Sequence, residues 1–225
     1  MAYSQRRRVV LEEAGEGPIR LPPLLCSLFL LACFAAISVL VLSQPYTAFD
    51  VALERAVQAV SWGPLLASFW WADWLEGYKQ VAAAGLGILL VFLFRRRATP
   101  LMLWGLLSGA AYQLLEAAVQ RPRPEAGLVQ VVRHTQGYAF PSGHAVFFTW
   151  FAAYLLLVFG RGLPKPLQVT SWALYALFLV AVALGRIYTA EHWPTDVIAG
   201  LCLGGGWALL GLSIRRLSDP VLGDG

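Results

Sequence analysis

Eleven residues, Arg186-Ile187-Tyr188-Thr189-Ala190-Glu191-His192-Trp193-Pro194-Thr195-Asp196, carry an arginine, a histidine and two acids between two long apolar runs. Ionisable groups beside membrane segments are costly to keep there and mark candidate functional sites. Pro194 suits the first turn of a helix, so a helix is expected to begin near His192. His192 and Asp196 then stand four apart on one face, where side chains meet. A carboxylate there takes the proton of one imidazole nitrogen and leaves the other free to attack. A capped helix end with an interfacial ion pair is the plainer alternative for this stretch taken alone.

The elements that must position these residues are membrane spans. Hydrophobic residues make up 58% of the 225-residue chain and charged residues 13%. Soluble domains hold roughly 45–50% and about 25%. Three cysteines, Cys26, Cys33 and Cys202, all lie in apolar runs, which argues against a disulfide framework or thiolate metal site. The net charge of +4 comes from arginines clustered at the ends of apolar runs, so it signals membrane topology instead of nucleic-acid binding. Each apolar run of about 20 residues is long enough to cross a bilayer.

The expected fold is all-α, a six-transmembrane-helix bundle with spans near 24–42, 77–94, 101–119, 144–159, 167–184 and 197–214. Short amphipathic interfacial helices are expected between the first and second spans, where Trp62, Trp70, Trp71 and Trp74 mix with acids. The domain plan is an N-terminal cytoplasmic tail over 1–22, a membrane domain over 23–216 and a C-terminal tail over 217–225. The first span is expected to be a retained anchor. Arginine placement predicts cytoplasmic termini and puts the loops near 120–143 and 186–196 together on the outer side.

Two further segments join the first. Arg121-Pro122-Arg123-Pro124 supplies guanidinium groups, and Pro141-Ser142-Gly143-His144 opens the fourth span. A helix N-terminus offers unpaired N–H groups to an anion, and Gly143 lets that backbone come close. Arg123 and Arg186 can grip phosphate oxygens with paired donors. Arginines, a helix N-terminus, the Ser142 hydroxyl and two histidines together describe a phosphoryl-transfer site.

The pattern resembles the type-2 phosphatidic acid phosphatase superfamily, whose signatures are KxxxxxxRP, PSGH and SRxxxxxHxxxD. Pro141–His144 matches the second signature, and Arg186, His192 and Asp196 match the third, with Gly185 in place of serine. Arg123-Pro124 matches the end of the first, but the lysine position holds Glu116 (Leu114 if counted from Arg121). The resemblance implies a nucleophilic His192 oriented by Asp196, a general acid and base in His144, and phosphate contacts from Arg123, Arg186, Ser142 and Gly143. It implies no cofactor and no metal. Arg121 is a candidate to swap roles with Arg123, and Glu116 a candidate to buttress one of these arginines and favour monophosphates.

The expected protein is a bacterial plasma-membrane lipid phosphatase, its candidate substrates phosphatidate, phosphatidylglycerol phosphate and undecaprenyl pyrophosphate, with membrane lipids as partners and no nucleic acid. A phosphotransferase using the same phosphohistidine, or a non-catalytic lipid-binding or transport protein, are the rival readings. Tyr188 and Trp193 are expected to pack at the interface and Glu191 to be a surface charge. His134 is assigned no role. The tryptophan-rich segment near 62–74 is expected to help form a lateral lipid entrance.

Overall fold

The structure is a computed structural model that describes residues 17–223, apart from the side chains of 71–73. The Arg6–Arg8 cluster of the expected tail, and the side chains of Trp71 and Asp73, therefore lie outside the described residues.

The chain is all-α. The long helices are α1 (Leu21–Ser43), α4 (Tyr78–Arg95), α7 (Gly143–Gly160), α8 (Lys165–Tyr188) and α9 (Pro194–Ser213). Shorter ones are α2 (Ala48–Ala59), α3 (Leu66–Trp74), α5 (Thr99–Leu106), α6 (Ser108–Val119) and α10 (Arg215–Leu222). Four of them, α1, α7, α8 and α9, are long and apolar enough to cross a membrane. The run expected as one span near 101–119 is interrupted at Leu107, where the N–H reaches the carbonyls of both Leu103 and Trp104. Gly105, Ser108 and Gly109 hold a helix weakly, and the break opens beside the cavity described below. Residues assigned to a C-terminal tail carry α10.

Prolines start several helices where the missing N–H costs nothing: α1 at Pro22 and Pro23, α9 at Pro194. α2 starts with a reciprocal capping box, in which the Thr47 hydroxyl accepts from the Asp50 N–H and the Asp50 carboxylate accepts from the Thr47 N–H.

α9 runs through the centre of the bundle against α1 and α7, and it does so on glycines. A Cβ on Gly200 would stand 2.7 Å from the Ser142 carbonyl oxygen, and one on Gly204 would stand 2.6 Å from that of Val146. Small residues four apart let two helix backbones approach closely, which matters where lipid supplies no hydrophobic drive to pack. On other faces of α9, Ser27 donates to the Gly206 carbonyl at 2.7 Å and Tyr154 to that of Ala208 at 2.8 Å. Trp104 and Trp207 stack at 5.1 Å and exchange indole N–H bonds to each other's carbonyls. The functional consequence is local. The close crossing brings the N-termini of α7 and α9 together, and the Ser142 N–H donates to the Asp196 carbonyl at 3.1 Å.

The opposite end of the bundle is basic. Ile19 bridges Ile214, Arg20 pairs with Asp219 at 2.7 Å, and Arg161 donates to the carbonyls that end α10. Arg95, Arg96 and Arg97 line the same pocket as Arg161. Gly204→Leu is expected to cost about 1–3 kcal/mol by overpacking, read as a lowered melting temperature of the purified protein in detergent. Gly85→Leu, whose Cβ would meet nothing within 4 Å, is expected to leave it unchanged or higher.

Candidate active site

Four segments converge at the end of the bundle remote from the basic cluster: α2, the loop of 120–142, the start of α7, and the turn between α8 and α9. The last three of them border a cavity of about 440 Å³ whose polar end holds Arg123, Gly143, His144, Glu191 and His192. Its other wall is apolar and is made by Val81 and Ala84 of α4, Leu106 of α5, and Phe147 and Trp150 of α7. Among the described residues, none of the tryptophan-rich segment 62–74 lines it. α3 instead packs on α8, where Phe69 lies so close that a Cβ on Gly185 would stand 3.2 Å from it. This fits glycine at the position where the resembling family carries serine.

His192 is buried, and its Nδ1 lies 2.7 Å from the Ala139 carbonyl oxygen. Only an N–H satisfies a carbonyl, so the proton sits on Nδ1 and the Nε2 lone pair is free. Burial, then Arg123 and Arg186, hold the ring's pKa well below the usual histidine range. The residue is a neutral imidazole at pH 7. Ala190, at φ +59°, reverses the chain just before it.

Asp196 does not touch His192. Its Oδ2 accepts the Trp193 N–H at 2.8 Å and its Oδ1 accepts from Arg121. The four-residue rule holds inside a helix, and His192 lies two residues ahead of the first helical residue, so the expected pairing is corrected. Ala139 takes the orienting place.

Arg121 is corrected as well. Its side chain is fully buried and turned away from the cavity. Its Nη2 donates to Asp50 at 2.7 Å, Nη1 to Asp196 and to the Thr195 hydroxyl, and Nε to the Pro45 carbonyl at 2.8 Å. Asp50 in turn accepts from the N–H and hydroxyl of Thr195 at 2.9 and 2.8 Å. Burial works against the Asp50 charge, but these bonds, Arg121 and the Thr47 N–H outweigh it and hold the carboxyl below its usual range. The Arg121 backbone carbonyl also accepts from Ala139, the residue that orients His192. Asp50 was the functional residue the sequence reading passed over. Its signal was an acid in a Thr-x-x-Asp capping box within a largely apolar chain.

Arg123 faces the cavity and donates to the carbonyls of Glu191, Gln136 and Gly137. Arg186 is buried behind it, paired with Glu191 at 2.7 Å. Glu191 is thus no surface charge: it is 1% exposed and also pairs with Arg133 at 3.3 Å. Ser142 is buried at the α7 N-terminus, and its hydroxyl does not line the cavity. Gly143 does, with Tyr112 so near that a Cβ would meet its ring at 3.1 Å. Glu116 lines the cavity but buttresses no arginine. Its carboxylate lies near the Tyr112 hydroxyl, and among the described residues it joins no salt bridge within 4 Å.

A family model described as the PAP2 superfamily matches residues 97–218, just over half of the chain. The chain belongs to the PAP2 superfamily. It is 27% identical over 214 residues to a lipid A 1-phosphatase of Rhizobium etli, covering 84% of this chain and 85% of that one. It is 38% identical over 78 residues to an undecaprenyl-diphosphatase of Sulfolobus acidocaldarius, a match spanning 35% of this chain and only 34% of that enzyme. It is 33% identical over 121 residues to a decaprenylphosphoryl-5-phosphoribose phosphatase of Mycolicibacterium smegmatis, 53% and 61% of the two chains. Among solved structures, a PAP2-type phosphatidylglycerolphosphate phosphatase of Bacillus subtilis superposes with TM-score 0.67 at 18% identity, covering 82% of this chain and 92% of that one. Aquifex aeolicus LpxE superposes with TM-score 0.57 at 24% identity, covering 74% and 96%. These two likenesses carry the fold. With its apolar helices, this PAP2 chain is an integral membrane protein.

Two outcomes follow from the buried ion cluster. Asp50→Ala leaves Arg121 short of a partner, a change that costs about 3–5 kcal/mol in buried pairs; chemical or thermal unfolding in micelles reads it. Glu54 lies fully buried in α2 with both carboxylate oxygens unbonded, and burial, then Asp50 and Asp196, push its pKa up to about 8. An acid whose folded pKa is raised holds a proton that the unfolded chain releases. Stability therefore falls as pH rises from about 4.5 to 8, by roughly 1.4 kcal/mol per unit at most. Glu54→Gln is expected to flatten that decline: a melting temperature equal to wild type near pH 5 and higher at pH 8.

Proposed function

We propose that this protein is an integral-membrane lipid phosphate phosphatase working through a phosphohistidine. The observation that carries the proposal is a neutral, buried His192 with Nδ1 tied to a backbone carbonyl. It shares one cavity with a second imidazole, an arginine and a helix N-terminus, and that cavity continues into an apolar wall.

In this reading Nε2 of His192 attacks phosphorus, and the bond from phosphorus to the lipid oxygen breaks. His144 gives its proton to the departing oxygen. The same ring then takes a proton from water, whose oxygen attacks the phosphohistidine; the N–P bond breaks and inorganic phosphate leaves. Charge building on the phosphoryl oxygens meets Arg123 and the first-turn N–H groups at Gly143 and His144. Arg186, held by Glu191, adds positive potential beside the ring. Ser142 seats the first turn of α7 through its bond to the Asp196 carbonyl. Asp196 acts at one remove, through Arg121. No step uses a metal or cofactor.

α4 and the broken α5–α6 pair complete six crossings in this proposal, with α2 and α3 at the interface. The basic end faces the cytoplasm by the positive-inside rule, so the site faces outward, as in a bacterial plasma membrane. The apolar wall between α4, α5 and α7 receives the lipid tail. Phosphatidate, phosphatidylglycerol phosphate and undecaprenyl pyrophosphate remain candidate substrates, and the relatives' names add lipid A and phosphoribosyl lipids.

The test is phosphate release from a panel of purified lipid phosphates with excess chelator. Wild type is expected to turn over at least one of them, His192→Ala to lose at least about a thousandfold in kcat, and Arg123→Ala about a hundredfold. Full activity in His192→Ala, or dependence on a divalent metal, would sink the proposal. The pH profile has a predicted sign. His192 must be neutral and its pKa is depressed, so the acid limb of kcat/KM lies below the usual histidine range.

A further inference from the structure

The basic end of the bundle carries a second hollow that phosphoryl transfer does not use. Arg95 at the end of α4, Arg96 and Arg97 of the turn that follows it, and Arg161 just beyond α7 line a space of about 390 Å³. Among the described residues no acid lines it. One arginine in the last turn of α4 would offset the negative end of that helix; three in a row exceed that need. Arg161 closes one side, donating to the Val221 and Leu222 carbonyls at 2.6 and 2.9 Å and so fixing the end of α10.

From Arg161 the surface continues as a trough between α7 and α8. A narrow stretch of about 100 Å³ shares Leu157, Arg161 and Val221 with the basic hollow. It shares Leu156, Gly160 and Ser171 with an apolar groove of about 710 Å³. Leu155, Phe159, Leu163, Leu174 and Phe178 line that groove. Tyr175 lines it too, but its hydroxyl is spent on the Thr149 carbonyl at 2.7 Å. Both flanking helices are apolar enough to cross a membrane, so the groove opens on hydrocarbon. Ser171 to Phe178 is two turns of helix, about 10 Å.

Charge at one end and hydrocarbon at the other, on one continuous surface, fit an amphiphile with an anionic head. Guanidinium forks pair with phosphate oxygens through two donors each. A zwitterionic head would bring a cation among the arginines, and a free phosphate would leave the groove unfilled. A second copy of this chain, docked by the same patch, would set arginines against arginines.

We propose that this trough is a lipid site, separate from the cavity of the two histidines, that holds an anionic phospholipid. Its phosphodiester head sits among Arg95, Arg96 and Arg97, and one acyl chain lies along α7 and α8. Basic pockets between membrane helices bind such heads. The inference goes beyond the phosphatase reading and does not rest on it.

The experiment uses the full-length protein, delipidated in a neutral maltoside detergent, with binding read by native mass spectrometry and by the rise in melting temperature. Dioleoyl phosphatidylglycerol is expected to bind at least about tenfold more tightly than dioleoyl phosphatidylcholine, dihexanoyl phosphatidylglycerol or inorganic phosphate. Arg96→Gln combined with Arg97→Gln is expected to weaken it about tenfold. Leu174→Trp, which fills the groove, is expected to weaken the dioleoyl lipid and not the dihexanoyl one. Arg123→Ala, in the other cavity, is expected to leave binding unchanged. Lipid-free melting temperatures check that each variant folds. Equal binding of the two dioleoyl lipids, inorganic phosphate binding as tightly as the lipid, or retention of no lipid by monomer or dimer would overturn the site. So would an affinity unmoved by the arginine pair or by Leu174→Trp, or one lowered by Arg123→Ala instead. None of these outcomes touches the phosphatase reading.

Discussion

One guanidinium group, that of Arg121, holds this site together. It lies between the carboxylates of Asp50 and Asp196 with every donor nitrogen bonded, and all three side chains are fully buried. Two carboxylates on one arginine is a costly arrangement in a low-dielectric interior unless each oxygen is met. Thr47, Thr195 and the Trp193 N–H supply what the arginine does not. The cluster ties α2, the 120–142 loop and the start of α9 to one another. Its backbone extends the same control to Ala139, whose carbonyl selects the His192 tautomer.

The helix packing serves the same end. Glycines on α9 bring α7 within backbone contact, so the first turn of α7 and the turn that leads into α9 open on one cavity. The first-turn N–H groups of α7, two imidazoles and Arg123 meet there. The apolar wall then makes the cavity suitable for an amphiphile: charge at one end, hydrocarbon at the other.

Much of the candidate site was legible in the sequence because its two histidines lie on local patterns. His144 follows a helix-opening Pro-Ser-Gly, His192 precedes a helix-opening proline, and the two line one cavity. The misreadings share a cause. Asp196 was paired with His192 by helical spacing, but the helix had not yet begun at His192. Arg121 and Arg123 differ by two residues and looked interchangeable; only the fold shows one turned into the protein and the other into the cavity. Glu191 looked like a surface charge because its partners, Arg186 and Arg133, are brought to it by the turn around Ala190 and by a loop more than fifty residues away. The break at Leu107 was hidden in an apolar run whose composition does not distinguish one helix from two.

The measurement that bears most directly on the account is the identity of the covalent intermediate. Protein mixed with a turned-over lipid phosphate, quenched in alkali to preserve phosphoramidates and mapped by peptide mass spectrometry and phosphorus NMR, should carry phosphate on His192 at Nε2, the nitrogen that Ala139 leaves free. Phosphate at Nδ1 of that ring, on His144, or on no residue during steady turnover would contradict it.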